Sequence, residues 1–301
     1  MTQGAQTVWL RAMPWVFVGI WSTGFIVARY GMPHAPPLSF LALRYALSIL
    51  CFLPWIMLSR VSWPVSRRQW LHLSVTGVLM HGLYLGGVWS AVKLGMGSGL
   101  SALVIGLQPV VVALWISSQG TALGSRMWAG LLLGFAGLVL VVSEKIGASG
   151  EATLLNMSMV VVSLLSMSAG TLYQKRFVAP CDVRTANVVQ LAAALALTAP
   201  LALLLESEPM RWNLELGAAM AWSVLAMTLG GSSLLYLLLQ RGAAASVSSL
   251  MYLVPPVTAL MAWMIFSEPI TLPVLAGTAF AAYGVSLVVR QPKSAISKGN
   301  S

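Results

Sequence analysis

Three ionisable side chains stand inside long apolar stretches of this sequence: Arg44, His72 and His81. An ionisable group at membrane depth is costly to desolvate, so such groups mark substrate paths, proton relays and ligand counter-ions. Arg44 has two readings. Its planar guanidinium is shaped to hold a carboxylate, or its long stem lets the charge reach back to an interface. His81 is the mid-span side chain that titrates in the physiological range, which makes it the candidate carrier of a coupled proton; its other reading is a hydrogen bond to a neighbouring helix. His72 stands near a span end beside Arg67 and Arg68, an interfacial position. No Asp or Glu is placed at membrane depth, so a carboxylate relay for protons or sodium has no residue to run on.

Aromatic and amide side chains form the second set. Trp9, Trp15, Trp63, Trp70, Trp128 and Trp212 fall near span ends, where aromatic belts form. Trp21, Tyr84, Tyr173 and Tyr252 fall closer to mid-span. A spacing of three puts His81 and Tyr84 on a common helical face. Gln108 stands beside Pro109, and Asn187 and Gln190 share a face. Such amides either orient a substrate or join helices to each other. The candidate substrate contacts are therefore Trp21, Arg44, His81, Tyr84, Gln108, Tyr173, Asn187, Gln190 and Tyr252. Catalytic patterns are lacking. The run Gly95-Met-Gly-Ser-Gly99 has no Gly-Lys-Ser/Thr after it, so it reads as a tight turn. Cys51 and Cys181 have no metal-site spacing, and no cofactor or metal is expected.

The elements that must position these residues follow from composition. The 301 residues are 58% hydrophobic and 8% charged, with a mean hydropathy of +0.85, whereas soluble domains carry about 25% charged residues. The apolar sequence divides into runs near twenty residues, the length that crosses about 30 Å of hydrocarbon. Ten spans are expected, near 12–28, 38–58, 70–92, 97–118, 127–143, 154–174, 185–205, 216–239, 245–266 and 271–289. No remaining segment could bury a soluble core, so residues 1–301 form one membrane domain. With alternating spans and a cytoplasmic N-terminus, twelve Lys and Arg lie inside and four outside. That bias predicts both termini in the cytoplasm. It also assigns the formal charge of +10 to insertion in the lipid bilayer, not to a nucleic-acid partner.

The spans repeat. Ser101-Ala-Leu-Val-Ile-Gly-Leu-Gln-Pro-Val110 has a counterpart at Ser248-Ser-Leu-Met-Tyr-Leu-Val-Pro-Pro-Val257, 147 positions on. The same offset pairs Gly95 with Gly242, Gly130 with Gly277 and Gly137 with Gly284. At an offset of 146, Ser22-Thr-Gly24 meets Ser168-Ala-Gly170, Arg29 meets Lys175 and Arg44 meets Gln190. The polar stretch from Glu144 to Thr153 separates residues 12–143 from 154–289, five spans in each. An odd number of spans makes the second copy enter the membrane upside down, as in transporters that bind substrate where two inverted halves meet. Proline removes a donor and bends a helix. Pro109, Pro255 and Pro256 are thus expected to bend the fourth and ninth spans and to act as hinges.

The chain resembles the drug/metabolite transporter superfamily in its ten-helix bacterial, EamA-type branch. The likeness rests on Trp21-Ser-Thr-Gly-Phe-Ile-Val-Ala28, on Pro37-Leu-Ser-Phe-Leu-Ala-Leu-Arg44, on the proline segments at 109 and 254–256, and on Ser267-Glu-Pro269 followed by Gly277. The first half has Gly120-Thr121 where the second has Ser267-Glu268, so the acid is expected to cap a helix and no more. The resemblance implies an inner-membrane secondary transporter that exports small metabolites, amino acids or related amphipathic compounds, by alternating access. The sequence leaves open an uncoupled facilitator, and from a different class an intramembrane enzyme or interaction protein. Protons are the candidate coupling ion, and the sequence does not give the oligomeric state.

Overall fold

The computed structural model describes residues 3–120, 124–148, 152–234 and 253–289. Among the described residues every regular element is helical: α1 (Gln3–Gly31), α2 (Pro37–Ser59), α3 (Arg67–Lys93), α4 (Ser98–Gly106), α5 (Gln108–Ser118), α6 (Ser125–Ala148), α7 (Leu154–Phe177), α8 (Val183–Leu205), α9 (Leu214–Ser232), α10 (Val254–Phe266) and α11 (Leu272–Val289). Six stretches are long and apolar enough to cross a membrane: α2, α3, Ser98–Trp115, α7, α8 and α9. Shorter apolar helices occupy Trp128–Glu144, Val254–Phe266 and Leu272–Leu287. The chain is an integral membrane protein built of helices. The first helix, 29 residues long, outruns the expected 12–28, and α6 outruns 127–143 at both ends.

Helix ends find partners in distant chain. The first amide groups of a helix have no acceptor within it. In α2, which opens on Pro36-Pro37, the Glu206 carboxylate accepts from the Leu38 amide at 2.7 Å and from the Ser39 amide at 2.8 Å. The α4 helix has no side-chain cap of its own, and Glu268 accepts from the Ser98 amide at 3.1 Å. Local caps serve elsewhere: Asp182 opens α8, Asn213 opens α9, and Thr153 with Asn156 forms a capping box on α7.

Two further features break the regular helix. The fourth span divides at Leu107, so Pro109 lies in the first turn of α5 instead of the middle of a helix. The second-half prolines behave alike, with Val254-Pro255-Pro256 forming the first turn of α10. Proline costs little there because that amide has no intrahelical partner anyway. In the fourth span the helix is interrupted two residues before its proline. For the ninth span, residues before 253 lie outside the described ones. The second break is a π-helical stretch inside two other helices, at Val78–Leu83 in α3 and Ser223–Ser232 in α9. There the Tyr84 amide reaches back five residues to the Leu79 carbonyl. An extra residue per turn of this kind is uncommon and recurs at functional sites. The two stretches overlap at the 147-residue offset.

The most extensive helix pairs are α6 with α11 and α3 with α7. Helices in lipid gain little from apolar burial and associate through close contact at small residues. At the α6–α11 crossing, a methyl on Gly284 would stand 2.5 Å from the Gly130 carbonyl oxygen, and one on Gly277 would stand 2.6 Å from the Gly137 oxygen. The helices therefore run antiparallel, with Gly130 against Gly284 and Gly137 against Gly277. These are the same glycines that correspond across the sequence repeat, each meeting the other's counterpart.

Overpacking this crossing has a predicted cost. Gly284→Leu and Gly277→Leu should each lose roughly 1–3 kcal/mol, read as lower thermal stability of the full chain in detergent. Gly19→Leu is the control, since no atom lies within 4 Å of a methyl built there, and it should leave stability nearly unchanged.

Candidate functional site

Arg44 enters the bundle from α2, two turns beyond the proline start, and is 5% exposed. The interfacial reading of its side chain is excluded by that burial. Its Nε donates to Thr228 Oγ1 at 3.1 Å, and Thr228 sits in the π-helical stretch of α9. The guanidinium carbon lies 5.9 Å from the centre of the Trp89 ring, within reach of a cation–π contact. Trp89 in turn stacks on Phe40 at 4.7 Å. The phenols of Tyr45 and Tyr84 and the imidazole of His81 are all close enough to feel the charge.

His81 occupies the π-helical stretch of α3, which packs against α8, the helix that carries Gln190. Tyr45 Oη donates to the His81 carbonyl at 2.7 Å. The wider turn leaves room for such bonds, because its backbone acceptors are displaced from their usual donors. On α9, the Thr228 hydroxyl donates to the Ser223 carbonyl five residues back at 2.9 Å while it accepts from Arg44.

The Arg44–Thr228 bond and the packing of α8 on the His81 stretch of α3 involve corresponding positions. An offset of 146 carries Arg44 onto Gln190, and 147 carries His81 onto Thr228. So Arg44–Thr228 joins the second span of the first half to the third span of the second half. Gln190 and His81 lie on the second span of the second half and the third span of the first, which pack together in the same way. The approach of α3 and α8 is close: a methyl on Gly77 would collide with the Gln190 backbone.

The structure thus brings together Arg44, His81, Tyr84 and Gln190 of the nine candidate contacts. Trp21 and Gln108 lie apart from that cluster, with Phe25, Pro109, Met167 and Val254 around a small hollow between α1, α4, α5, α7 and α10. Gln108 donates there to Thr171 Oγ1 at 2.9 Å. Pro255 packs on Gly106, where a methyl would meet its Cγ at 2.5 Å. Tyr173 is elsewhere again. Its hydroxyl bonds His72 Nδ1 at 2.7 Å beside Phe177, in a cluster that also takes Arg68. Asn187 donates to the Val183 carbonyl of its own helix at 2.8 Å and shares no bond with Gln190. Tyr252 lies outside the described residues.

Several participants were not singled out from the sequence. Thr228 is an unremarkable hydroxyl until the 147-residue offset is applied to His81, which lands on it. Tyr45 and Trp89 carried no signal beyond their aromatic type. Glu268 does cap a helix, but the helix is α4 and the carboxylate also pairs with Arg29 of α1. It sits at one end of the bundle, where other carboxylates join the same two parts of the chain: Glu206 to α2, Glu208 to Lys93, and Glu215 to His34.

A buried donor left without its acceptor costs about 1–3 kcal/mol. Thr228→Val removes the acceptor of Arg44 Nε and should lower stability by that order in denaturant unfolding, while Thr228→Ser should retain most of it. Equal stability of the Val and Ser variants would contradict the bond's role.

The sequence profile of the EamA-like transporter family matches residues 13–143 and again 154–290. The chain is 27% identical to an uncharacterized transporter of Archaeoglobus fulgidus over 251 residues, covering 83% of this chain and 86% of that one. It is 24% identical to the uncharacterized transporter YvbV of Bacillus subtilis over 287 residues, 91% of this chain and 90% of that one. With the uncharacterized inner membrane transporter YedA of Escherichia coli it shares 23% over 178 residues, 59% of this chain and 57% of YedA. A protein crystal structure with 20% identity superposes with a TM-score of 0.66 over 91% of this chain and 94% of its own, so the fold is shared. The chain is a membrane transporter and belongs to the EamA-like transporter family.

Proposed function

We propose that this protein is a secondary transporter of ten membrane helices, arranged as two inverted five-helix repeats, that exports small metabolites across the bacterial inner membrane. The observation that carries the reading is a pair of reciprocal contacts: Arg44 of α2 bonds Thr228 of α9, and α8, which carries Gln190, packs on the stretch of α3 that carries His81. Each ties one repeat to the other at corresponding positions, which is what an axis in the membrane plane between the halves requires. The reciprocal glycine crossing of α6 and α11 supports the same axis. Substrate binds between the halves, and amino acids or related amphipathic compounds suit a site that combines a guanidinium, an amide and aromatic rings. Both termini lie in the cytoplasm, on the strength of twelve inside Lys and Arg against four outside.

Alternating access needs the halves to rock. The break at Leu107 and the proline-started helices α5 and α10 serve as the hinges. His81 is the group through which a proton would be coupled, and an uncoupled facilitator is the alternative within transport.

Purified chain in proteoliposomes should show counterflow of a labelled amino acid with the molecule recovered unchanged. Chemical conversion of the label would instead favour an intramembrane enzyme. A requirement for a pH gradient would exclude the facilitator, and His81→Gln should then abolish that requirement. Pro109→Ala and Pro256→Ala should each slow flux without loss of folded protein. If both variants transport at the wild-type rate, these prolines are not hinges.

A further inference from the structure

We propose that the Arg44 guanidinium is the binding site for a substrate carboxylate, and that the transported compounds are monocarboxylates with an apolar or aromatic body. This rests on the reading above that substrate binds between the two halves. A guanidinium does not lose its proton in a protein, so Arg44 brings a permanent positive charge into the bundle at 5% exposure. One of its nitrogens is committed to Thr228, and Nη1 has no partner. The neighbouring groups are phenols, an imidazole and an indole ring, none of them a carboxylate.

The described acids are all engaged elsewhere. Asp182 pairs with Arg184, Glu208 with Lys93, Glu215 with His34 and Glu268 with Arg29. Glu206 caps α2, and Glu144 accepts from Thr271. Glu151 lies outside the described residues. A buried charge is normally paired, because desolvation is otherwise uncompensated. Arg184 shows the usual arrangement, with two bonds of 2.9 Å to Asp182. Arg44 differs from it in both depth and partner.

The surroundings define the ligand. A carboxylate would supply the missing charge and accept from Nη1, in the geometry for which guanidinium is suited. The Ser48 hydroxyl, four residues after Arg44 on α2, and the Ser223 hydroxyl, five residues before Thr228 on α9, are also buried without partners. They extend the polar strip. The counterpart position holds neutral Gln190, so the site offers one cation and takes one anionic group. Tyr45, Tyr84 and Trp89 supply rings for the remainder of the molecule.

The test uses the full chain in lipid nanodiscs, with thermal stability as the readout and three probes of one scaffold. 3-Phenylpropionate and phenylalanine should both stabilise the protein, and phenethylamine should not. The acid should bind at least about tenfold more tightly than the amine, the factor expected of one charge-assisted hydrogen bond. The two carboxylate probes separate free acids from amino acids as the preferred class. Arg44→Gln should abolish the response to both, and should raise the stability of the ligand-free protein because an unpaired buried charge is removed. Arg44→Lys should keep a weakened response.

Stabilisation by the amine equal to that by the acid overturns the proposal. So does an acid response that survives in Arg44→Gln, a ligand-free Arg44→Gln protein less stable than wild type, or no response to any probe. None of these readouts involves flux, so failure here leaves the transporter reading to its own counterflow assay.

Discussion

Hydrocarbon offers no hydrogen bonds, so polar groups brought into it must find partners within the protein. The architecture follows from that constraint. Helix starts that lack a local cap draw on carboxylates from distant chain, as Glu206 does for α2 and Glu268 for α4. Serine and threonine hydroxyls inside the spans fold back on their own helices, as Ser168 does to the Leu164 carbonyl and Thr198 to the Ala194 carbonyl. Cross-helix bonds are then confined to a few places, and these decide which helices hold together.

The central cluster is the largest of those places. Four helices meet there, two of them with a π-helical stretch that displaces the backbone pairing and turns His81 and Thr228 toward α8 and α2. Glycines let the backbones approach closely at Gly77 and at the α6–α11 crossing. Small residues and displaced carbonyls work as one device here: the first brings helices near, and the second gives the polar groups somewhere to bond. At one end of the bundle, carboxylates beyond residue 205 link to α1 and α3 by ion pairs and to α2 by capping its first amides.

Much of this was legible in the residues. Run lengths predicted helical spans, and the described helices fall within or around them. Their placement inside apolar spans marked Arg44 and His81 as special, and Tyr45, next to Arg44, bonds the His81 carbonyl. The turn at Gly95-Met-Gly-Ser-Gly99 was readable too, and Gly95 adopts a φ of 92° there. Tyr173 was less readable: spacing alone set it at mid-span, but its partner His72 lies on a different helix, 101 residues earlier. Asn187 and Gln190 share a helical face by spacing, yet Asn187 bonds its own backbone and not Gln190 or another helix. Periodicity reports which side of a helix a residue occupies. It does not report which helix stands opposite.

The sequence by itself determined that the chain lives in a membrane, because composition and run length set the solvent in which it can fold. It also determined which positions correspond between the halves, since the offset is written in the Gly and Pro spacing. Only the tertiary structure decided how those positions meet: Arg44 with Thr228 instead of Gln190, Gly130 with Gly284 instead of Gly277. It also decided that Arg44 is left without a carboxylate among the described residues. The physical reason is that charge compensation depends on distance in space, and the helix opposite α2 is fixed by packing of segments almost two hundred residues away.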